Sequence, residues 1–338
     1  VKPEKAPANC TAETTYNTVS LNWAKAADAD GYTITRKVEG ADTEQTIAHV
    51  DGVDAVSYKD TGVQTGNIYI YHVYAYTKYT NNGQQDYANT DTYATIKAAP
   101  QLGKAALTSV TAEGYSSLTL KWEEVDGATG YIVYRSTDKS KVDTQIMDIT
   151  NGAVSYVDTA LTAGNTYYYK VQPYCVVNGK KVYGDASGIL SGKPLPSATK
   201  LTAESAGYKE VNLTWSAVDG VTGYEVYRKT SSSSYKKIAT VAGEKTGYSD
   251  TKVTAGTAYT YKVRAYKTVN GSQVYGDYSN ESTATPALEA PQIALKNASY
   301  NSVTITWNQI SGAHGYKIYR STKKDSGYRK VKTVNDKT

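Results

Sequence analysis

The sequence predicts an all-β chain of tandem antiparallel β-sandwiches, seven short strands in each, with the fourth copy truncated. Three observations carry this reading. Trp23, Trp122, Trp215 and Trp307 each close a run of alternating apolar and polar residues, at spacings of 99, 93 and 92 residues. Eight residues after each indole comes the same dipeptide: Gly31-Tyr32, Gly130-Tyr131, Gly223-Tyr224 and Gly315-Tyr316. No segment shows a period of 3.6, so almost no helix is expected. A repeat of this length is a whole small domain, and a domain of ~100 residues buries well over half of its unfolded surface.

The second copy shows the order of elements. Val110-Thr111-Ala112 starts a short strand. Leu118, Leu120 and Trp122 then alternate with polar residues, which is a strand with one buried face. The stretch Asp126 to Gly130 turns the chain, and Tyr131, Val133 and Arg135 share one face of the next strand, with Ile132 and Tyr134 on the other. Asn151-Gly152 turns it again. Tyr156 leads to Asp158-Thr159, a loop with Gly164 follows, and Tyr167 to Pro173 is a long alternating strand. Asn178-Gly179 is a two-residue hairpin signal, because both residues tolerate positive φ, and Val182-Tyr183 begins the return strand. Turn signals every 8–12 residues between short alternating runs describe an antiparallel sandwich.

Proline-bearing joints separate the copies: Ala98-Ala99-Pro100, Lys193-Pro194-Leu195-Pro196, and Thr285-Pro286 through Pro291. The expected domains are residues 1–99, 100–193 and 194–286, with 287–338 as the N-terminal part of a fourth. Short linkers with fixed φ predict a semi-rigid rod. The fourth copy has Val303, Ile305, Trp307, Tyr316 and Ile318 but not the later strands. Half a sandwich exposes an apolar face and unpaired edges, so either the polypeptide continues or another chain supplies strands.

Composition removes several function classes. The 37 basic and 32 acidic residues are interspersed and leave a net charge of +5, with no basic stripe of the kind nucleic acid needs. The stretch Lys317 to Lys337 is more basic and reads as a solvated strand edge. No run of 18 apolar residues exists, so no membrane insertion is expected. Val1-Lys2-Pro3-Glu4 reads as a linker rather than a leader. Cys10 and Cys175 fall in different copies, which excludes a disulfide within one copy and a cysteine metal site; no metal and no cofactor are expected. Phe is absent while Tyr occurs 33 times, and Tyr keeps an apolar ring with a polar tip, which suits thin sandwiches whose rings reach the surface.

Catalytic constellations are not expected either. His49, His72 and His314 lie in three separate regions, and no Gly-x-Ser-x-Gly elbow accompanies them. Glu123 and Glu124 are strand neighbours pointing to opposite faces, unlike the facing carboxylates of a glycosidase. Asp28 and Asp30 flank a turn and are too few for a calcium site. Leu195 to Thr199 sits in a linker and is not a sorting signal. The chain reads as no enzyme.

These residues resemble tandem fibronectin type III domains, an immunoglobulin-like sandwich family, over essentially the whole chain. The resemblance rests on the indole closing the second strand, the Gly-Tyr-x-Val/Ile-x-Arg third strand, and a tyrosine corner. That corner is Asp60-Thr61 with Gly66, Tyr69, Tyr71 and Val73; it recurs as Asp158-Thr159 with Gly164, Tyr167, Tyr169 and Val171, and as Asp250-Thr251 with Gly256, Tyr259, Tyr261 and Val263. The resemblance implies that Tyr69, Tyr167 and Tyr259 bond their hydroxyls to upstream backbone. The Tyr-Arg third strands and the Val-Asn-Gly-x-x-Val-Tyr-Gly-Asp hairpin are similar in style to secreted or surface proteins of Gram-positive bacteria. Copy one departs from this style, with Thr35 for the strand Tyr and a hairpin reading Asn81-Asn82-Gly83-Gln84-Gln85. An arginine-glycine-aspartate loop is absent.

The expected structural core is Trp23, Trp122, Trp215, Trp307, Tyr69, Tyr167 and Tyr259. The candidate ligand-binding residues are tyrosines read as outward-facing on one sheet: Tyr134, Tyr227 and Tyr319 on third strands, Tyr174 and Tyr266 on sixth strands, Tyr183 and Tyr275 near the return strands. Such a strip would stack on carbohydrate or pack on a host or cell-surface protein; cross-strand pairing that stabilises an exposed sheet competes as the explanation. The expected role is that of extracellular spacer modules in a larger secreted or surface-attached bacterial protein with flanking domains, with adhesion or carbohydrate binding through the Tyr strips and end loops as the alternative.

Overall fold

The structure, a computed structural model, describes residues 2–335; Val1 and residues 336–338, including Lys337 of the basic stretch, lie outside it. Every regular element among the described residues is a strand. In the first copy these are β1 (Thr11–Thr14), β2 (Val19–Asn22), β3 (Gly31–Val38), β4 (Gln45–Asp51), β5 (Ser57–Asp60), β6 (Tyr69–Asn81), β7 (Gln84–Asn89) and β8 (Ala94–Ala98). The second has β9 (Leu107–Ala112), β10 (Leu118–Trp122), β11 (Gly130–Ser136), β12 (Thr144–Ile149), β13 (Ser155–Asp158), β14 (Tyr167–Val177), β15 (Lys180–Tyr183) and β16 (Leu190–Gly192). The third has β17 (Leu201–Gly207), β18 (Glu210–Trp215), β19 (Gly223–Lys229), β20 (Lys236–Ala242), β21 (Gly247–Asp250), β22 (Tyr259–Val269), β23 (Ser272–Tyr278) and β24 (Ser282–Ala284). The fourth has β25 (Ile293–Ser299), β26 (Ser302–Trp307), β27 (Gly315–Arg320) and β28 (Arg329–Asn335).

The first three copies build the same two antiparallel sheets. One has three strands, ordered β1-β2-β5, β9-β10-β13 and β17-β18-β21. The other has five, ordered β4-β3-β6-β7, β12-β11-β14-β15 and β20-β19-β22-β23, with β8, β16 and β24 also on the sixth strand. Each copy thus shows eight strand segments where seven were expected, because the seventh strand is split in two. The break falls at a buried hydroxyl residue: Thr90, Ser187 or Ser279. Ser187 donates its N–H to Val171 O while its Oγ accepts from Val171 N–H at 3.0 Å; Ser279 does the same with Val263. The side chain therefore replaces a ladder bond and lets the edge strand shift without leaving a buried amide unpaired.

By density of contacts the chain divides into two compact units. One comprises Val1–Thr111, Leu118–Asp158 and Thr166–Gly192; the other comprises Ala112–Ser117, Thr159–Asn165 and Lys193–Thr338.

The alternation of the sequence explains each core. In the first, Val19, Leu21, Tyr32, Ile34, Tyr71 and Val73 are fully buried between the sheets. Trp23, Trp122 and Trp215 are 4–5 % exposed and meet Tyr32, Tyr131 and Tyr224 at 5.2, 5.5 and 5.4 Å between ring centroids. The hydroxyls of Tyr32, Tyr131, Tyr224 and Tyr316 accept the backbone N–H of Ala26, Val125, Val218 and Ile310 at 2.8–3.0 Å. One residue type thus fills the core and closes the loop between the second and third strands, which accounts for the Gly-Tyr repeat. The four indole Nε1 groups are buried without an acceptor among the described residues.

The corners carry two tyrosines with different tasks. Gln64 N–H donates to the Tyr69 hydroxyl at 2.9 Å and Thr254 N–H to that of Tyr259 at 3.1 Å; Tyr167 is equally buried at the matching place. Two residues on, Tyr71, Tyr169 and Tyr261 are wholly buried and donate to Asp60, Asp158 and Asp250 at 2.7–3.1 Å. Those carboxylates also take Arg36, Arg135 and Arg228 at 2.6–2.9 Å. A buried carboxylate is tolerated only when its lone pairs are occupied, and here a guanidinium and a phenol occupy them.

The fourth copy has two two-stranded sheets, β25-β26 and β27-β28. Its inner face is open: Ile293, Leu295 and Val303 are 67 %, 66 % and 57 % exposed, and an apolar trough of about 640 Å³ runs between them, Trp307 and Tyr316.

Candidate functional site: the outer face of the five-stranded sheet

The candidate tyrosines of copies two and three belong to the five-stranded sheets and Tyr319 to the two-stranded sheet β27-β28, but the structure divides them. Tyr134, Tyr227 and Tyr275 are half-buried, and Tyr183 and Tyr319 are 46 % and 51 % exposed. Tyr174 and Tyr266 do not face solvent as expected: they are 2 % and 7 % exposed. The cause is the residue opposite. Gly130 pairs with Tyr174, Gly223 with Tyr266 and Gly31 with Tyr76, and each ring lies across the bare glycine. A side chain at the glycine would occupy the space of the ring.

The outer face of this sheet is therefore a second, thin packed layer. The position after the core Tyr of the third strand is Thr33, Ile132 or Glu225, and all three are 1–2 % exposed although they point away from the core. In every copy the fourth strand bulges against the third, leaving Ile47, Ile146, Ile238 or Val331 without a partner residue on the third strand. The bulge leaves the register of the third strand against the sixth unbroken, so Tyr134 and Tyr227 keep the face that strand parity gives them.

Copy three has the most charged version of the layer. Glu225 accepts from Tyr227 Oη at 2.6 Å, Lys237 Nζ at 2.9 Å, Arg264 Nη2 at 2.7 Å and Tyr275 Oη at 3.3 Å. Burial alone would raise its pKa; the bonds from Tyr227, Lys237 and Arg264 outweigh burial and hold it down at about 2. The Arg264 guanidinium lies 3.7 Å from the Tyr275 ring centroid, and Lys262 lies 3.6 Å from that of Tyr278. Copy two has a smaller version: Tyr174 donates to Asp148 at 2.9 Å, Lys181 also pairs with Asp148, and the Lys181 ammonium sits 4.1 Å above the Tyr174 ring. Tyr134 donates to Gln172 at 3.1 Å. In copy one the layer is His49 stacked on Tyr87 at 3.8 Å, with His72 buried beside Glu44 and Tyr93.

The sequence reading missed Glu225, Arg264, Asp148 and Lys181 as members of this layer. The available signal was cross-strand: Glu225 stands directly opposite Arg264. Glu123 and Glu124 lie just past the end of β10 rather than on it, and both are exposed. Among the described residues no group of three His, Cys, Asp or Glu side chains is placed to hold a metal, and no helix is long and apolar enough to cross a membrane.

Comparison with known proteins gives relatives of several kinds. Exoglucanase B of Cellulomonas fimi is 29 % identical over 215 residues, 57 % of this chain and 18 % of that protein. Amylopullulanase of Thermoanaerobacterium saccharolyticum is 27 % identical over 307 residues, 77 % of this chain and 23 % of that protein. The chain thus spans about a fifth of the length of these relatives. A two-domain fibronectin type III segment of chicken tenascin aligns over 56 % of this chain and 98 % of its own at 18 % identity, with a TM-score of 0.36. The family described as fibronectin type III domain, SaeA third domain, matches residues 201–284. Residues 201–284 thus match the fibronectin type III family, and the pair of antiparallel sheets they form recurs in the two copies before them.

Proposed function

We propose that the chain is a non-catalytic, extracellular accessory segment of a larger bacterial polypeptide. Its modules are residues 1–99, 100–193, 194–286 and the first part of another, 287–338, and they act as a spacer between flanking domains. The observation that carries this reading is the layer around Glu225. Its cations lie on tyrosine faces and its acid is bonded four ways within the same sheet. A sugar seeking those rings and charges would have to displace partners already in place, at a cost comparable to what it gains. The setting is supported by the names of the two relatives, both carbohydrate-active enzymes many times longer than their matched part.

A second reading, adhesion to carbohydrate or to a host or cell-surface protein, draws support from Tyr183. It keeps 46 % of its surface exposed beside Tyr174. Affinity electrophoresis of the intact chain in gels containing soluble starch, β-glucan or xylan separates the two. The spacer reading expects unchanged mobility. Retardation that is lost in Tyr134→Ser or Tyr183→Ser would replace it with the adhesion reading.

A further inference from the structure

We infer that each sandwich carries a built docking surface for the next sandwich in the chain, a two-point joint written into the repeat. The first point is a tyrosine in the turn between the first two strands, seven residues before the indole: Tyr16, Tyr115, Tyr208 and Tyr300. The second is a glycine five residues after the indole of the following copy: Gly127, Gly220 and Gly312. In the structure Tyr16 packs on Gly127, Tyr115 on Gly220 and Tyr208 on Gly312, so closely that a Cβ on any of these glycines would overlap the ring. Each of these contacts lies within one of the two compact units. Lys267 closes the second joint, with its ammonium 4.5 Å from the Tyr115 ring and donating to Gly220 O at 2.5 Å.

Two positions serve as internal controls. Among the described residues no such glycine lies against Tyr300, which is 99 % exposed, whereas Tyr16, Tyr115 and Tyr208 are half-buried. In copy one the position five after the indole is Asp28, exposed and with φ of 59°, close to the 65–79° of the three glycines. The backbone conformation thus accepts a side chain there. What requires glycine at 127, 220 and 312 is the approach of the tyrosine.

A second pair of surfaces meets alongside. The corner glycine of the leading copy faces the hairpin valine of the following one: Gly66 faces Val182 and Gly164 faces Val274. A Cβ on the glycine would lie 3.0 and 2.8 Å from the nearest valine methyl. Copy one, whose hairpin serves no preceding sandwich among the described residues, has Asp86 four residues after its hairpin Asn82, where Val182 and Val274 stand four after Asn178 and Asn270. The partner this surface fits is therefore another sandwich of the same type, one with glycine five after its indole and valine in its hairpin. The exposed ring of Tyr300 offers the leading half of one more such joint.

This inference deepens the spacer reading and rests on it, since fixed joints set the orientation of what a spacer holds. Its test is separate. In the full chain with Cys10→Ser and Cys175→Ser, the pair Gly164→Cys with Val274→Cys places two Cβ atoms 3.7 Å apart, and Gly66→Cys with Val182→Cys places them 3.9 Å apart. Both separations suit a disulfide. Mild oxidation is expected to remove both thiols in each pair, read by intact mass after alkylation; free thiols in a chain with native circular dichroism would overturn the joint. Should these variants not fold, the unaltered chain answers instead. Hydroxyl-radical footprinting is expected to label Tyr300 several-fold faster than Tyr16, Tyr115 and Tyr208, and equal rates would overturn the joint. Either negative result leaves the spacer reading to the gel assay, and polysaccharide binding there would leave the joint intact.

Discussion

Tyr266 lies across Gly223, its cross-strand partner, so that a Cβ on that glycine would stand 2.7 Å from the tyrosine hydroxyl oxygen and 2.6 Å from Val241 O. The same relation joins Tyr174 to Gly130 and Tyr76 to Gly31. A glycine in a strand interior normally weakens it, and a ring laid over the gap restores the lost burial.

Gly223→Ala is therefore expected to destabilise copy three by about 1–3 kcal/mol, the usual range for forcing extra atoms into a packed site. Urea denaturation followed by tryptophan fluorescence measures it. Tyr266→Ala at the same site should also destabilise, by loss of the ring.

Asp158→Ala should cost about 3–5 kcal/mol, because Arg135 and Tyr169 lose their shared acceptor while partly or wholly buried. The comparison variant, Arg135→Met with Asp158→Asn, removes both charges and should recover part of that loss. Equal stability of Asp158→Ala and the parent in chemical denaturation would remove the corner carboxylate from the list of structural groups.

The phenol of Tyr169 is pushed well above its ordinary value, first by burial and then by its bond to Asp158, and Tyr71 and Tyr261 behave alike. A raised acid stays protonated in the folded state while the unfolded chain releases its proton near pH 10, so stability falls as pH rises past about 10. Ultraviolet titration of phenolate should show at least these three tyrosines ionising only as the chain unfolds.

Glu225 gives the opposite sign. Its folded value is about 2 against an ordinary 4.5, so its stabilisation is complete above about pH 5 and is lost as pH falls toward 2. The shift corresponds to on the order of 3 kcal/mol. Glu225→Gln should flatten the acid limb of the copy-three melting transition; an unchanged limb would mean that other carboxylates govern it.

Trp122→Ala should cost about 3–5 kcal/mol, the range for removing a large aromatic from a core. Calorimetry should show the transition of copy two falling well below those of the other copies.

The strand pattern, the indole period and the corner motif were all legible along the chain, because each depends on residues close in sequence: period two for a strand, Asn-Gly for a hairpin, Gly-Tyr for a loop its own hydroxyl closes. Tyr134 and Tyr174 show where that stops. Parity along a strand placed both on the outer face, yet one is half-buried and the other almost wholly so. The difference comes from Gly130, 44 residues from Tyr174 in sequence, and from Lys181 and Asp148, which reach it from separate strands.

Local order thus determined which residues form strands, which face of each strand turns to the core, and how often the unit recurs. Tertiary structure alone decided which outward rings are free, that the seventh strand breaks at a buried hydroxyl, and that Tyr115 rests on Gly220. The physical reason is that backbone preference and hydrophobic alternation act over a few residues. Exposure, pairing of charges and contact between sandwiches depend on atoms brought together from tens of residues away.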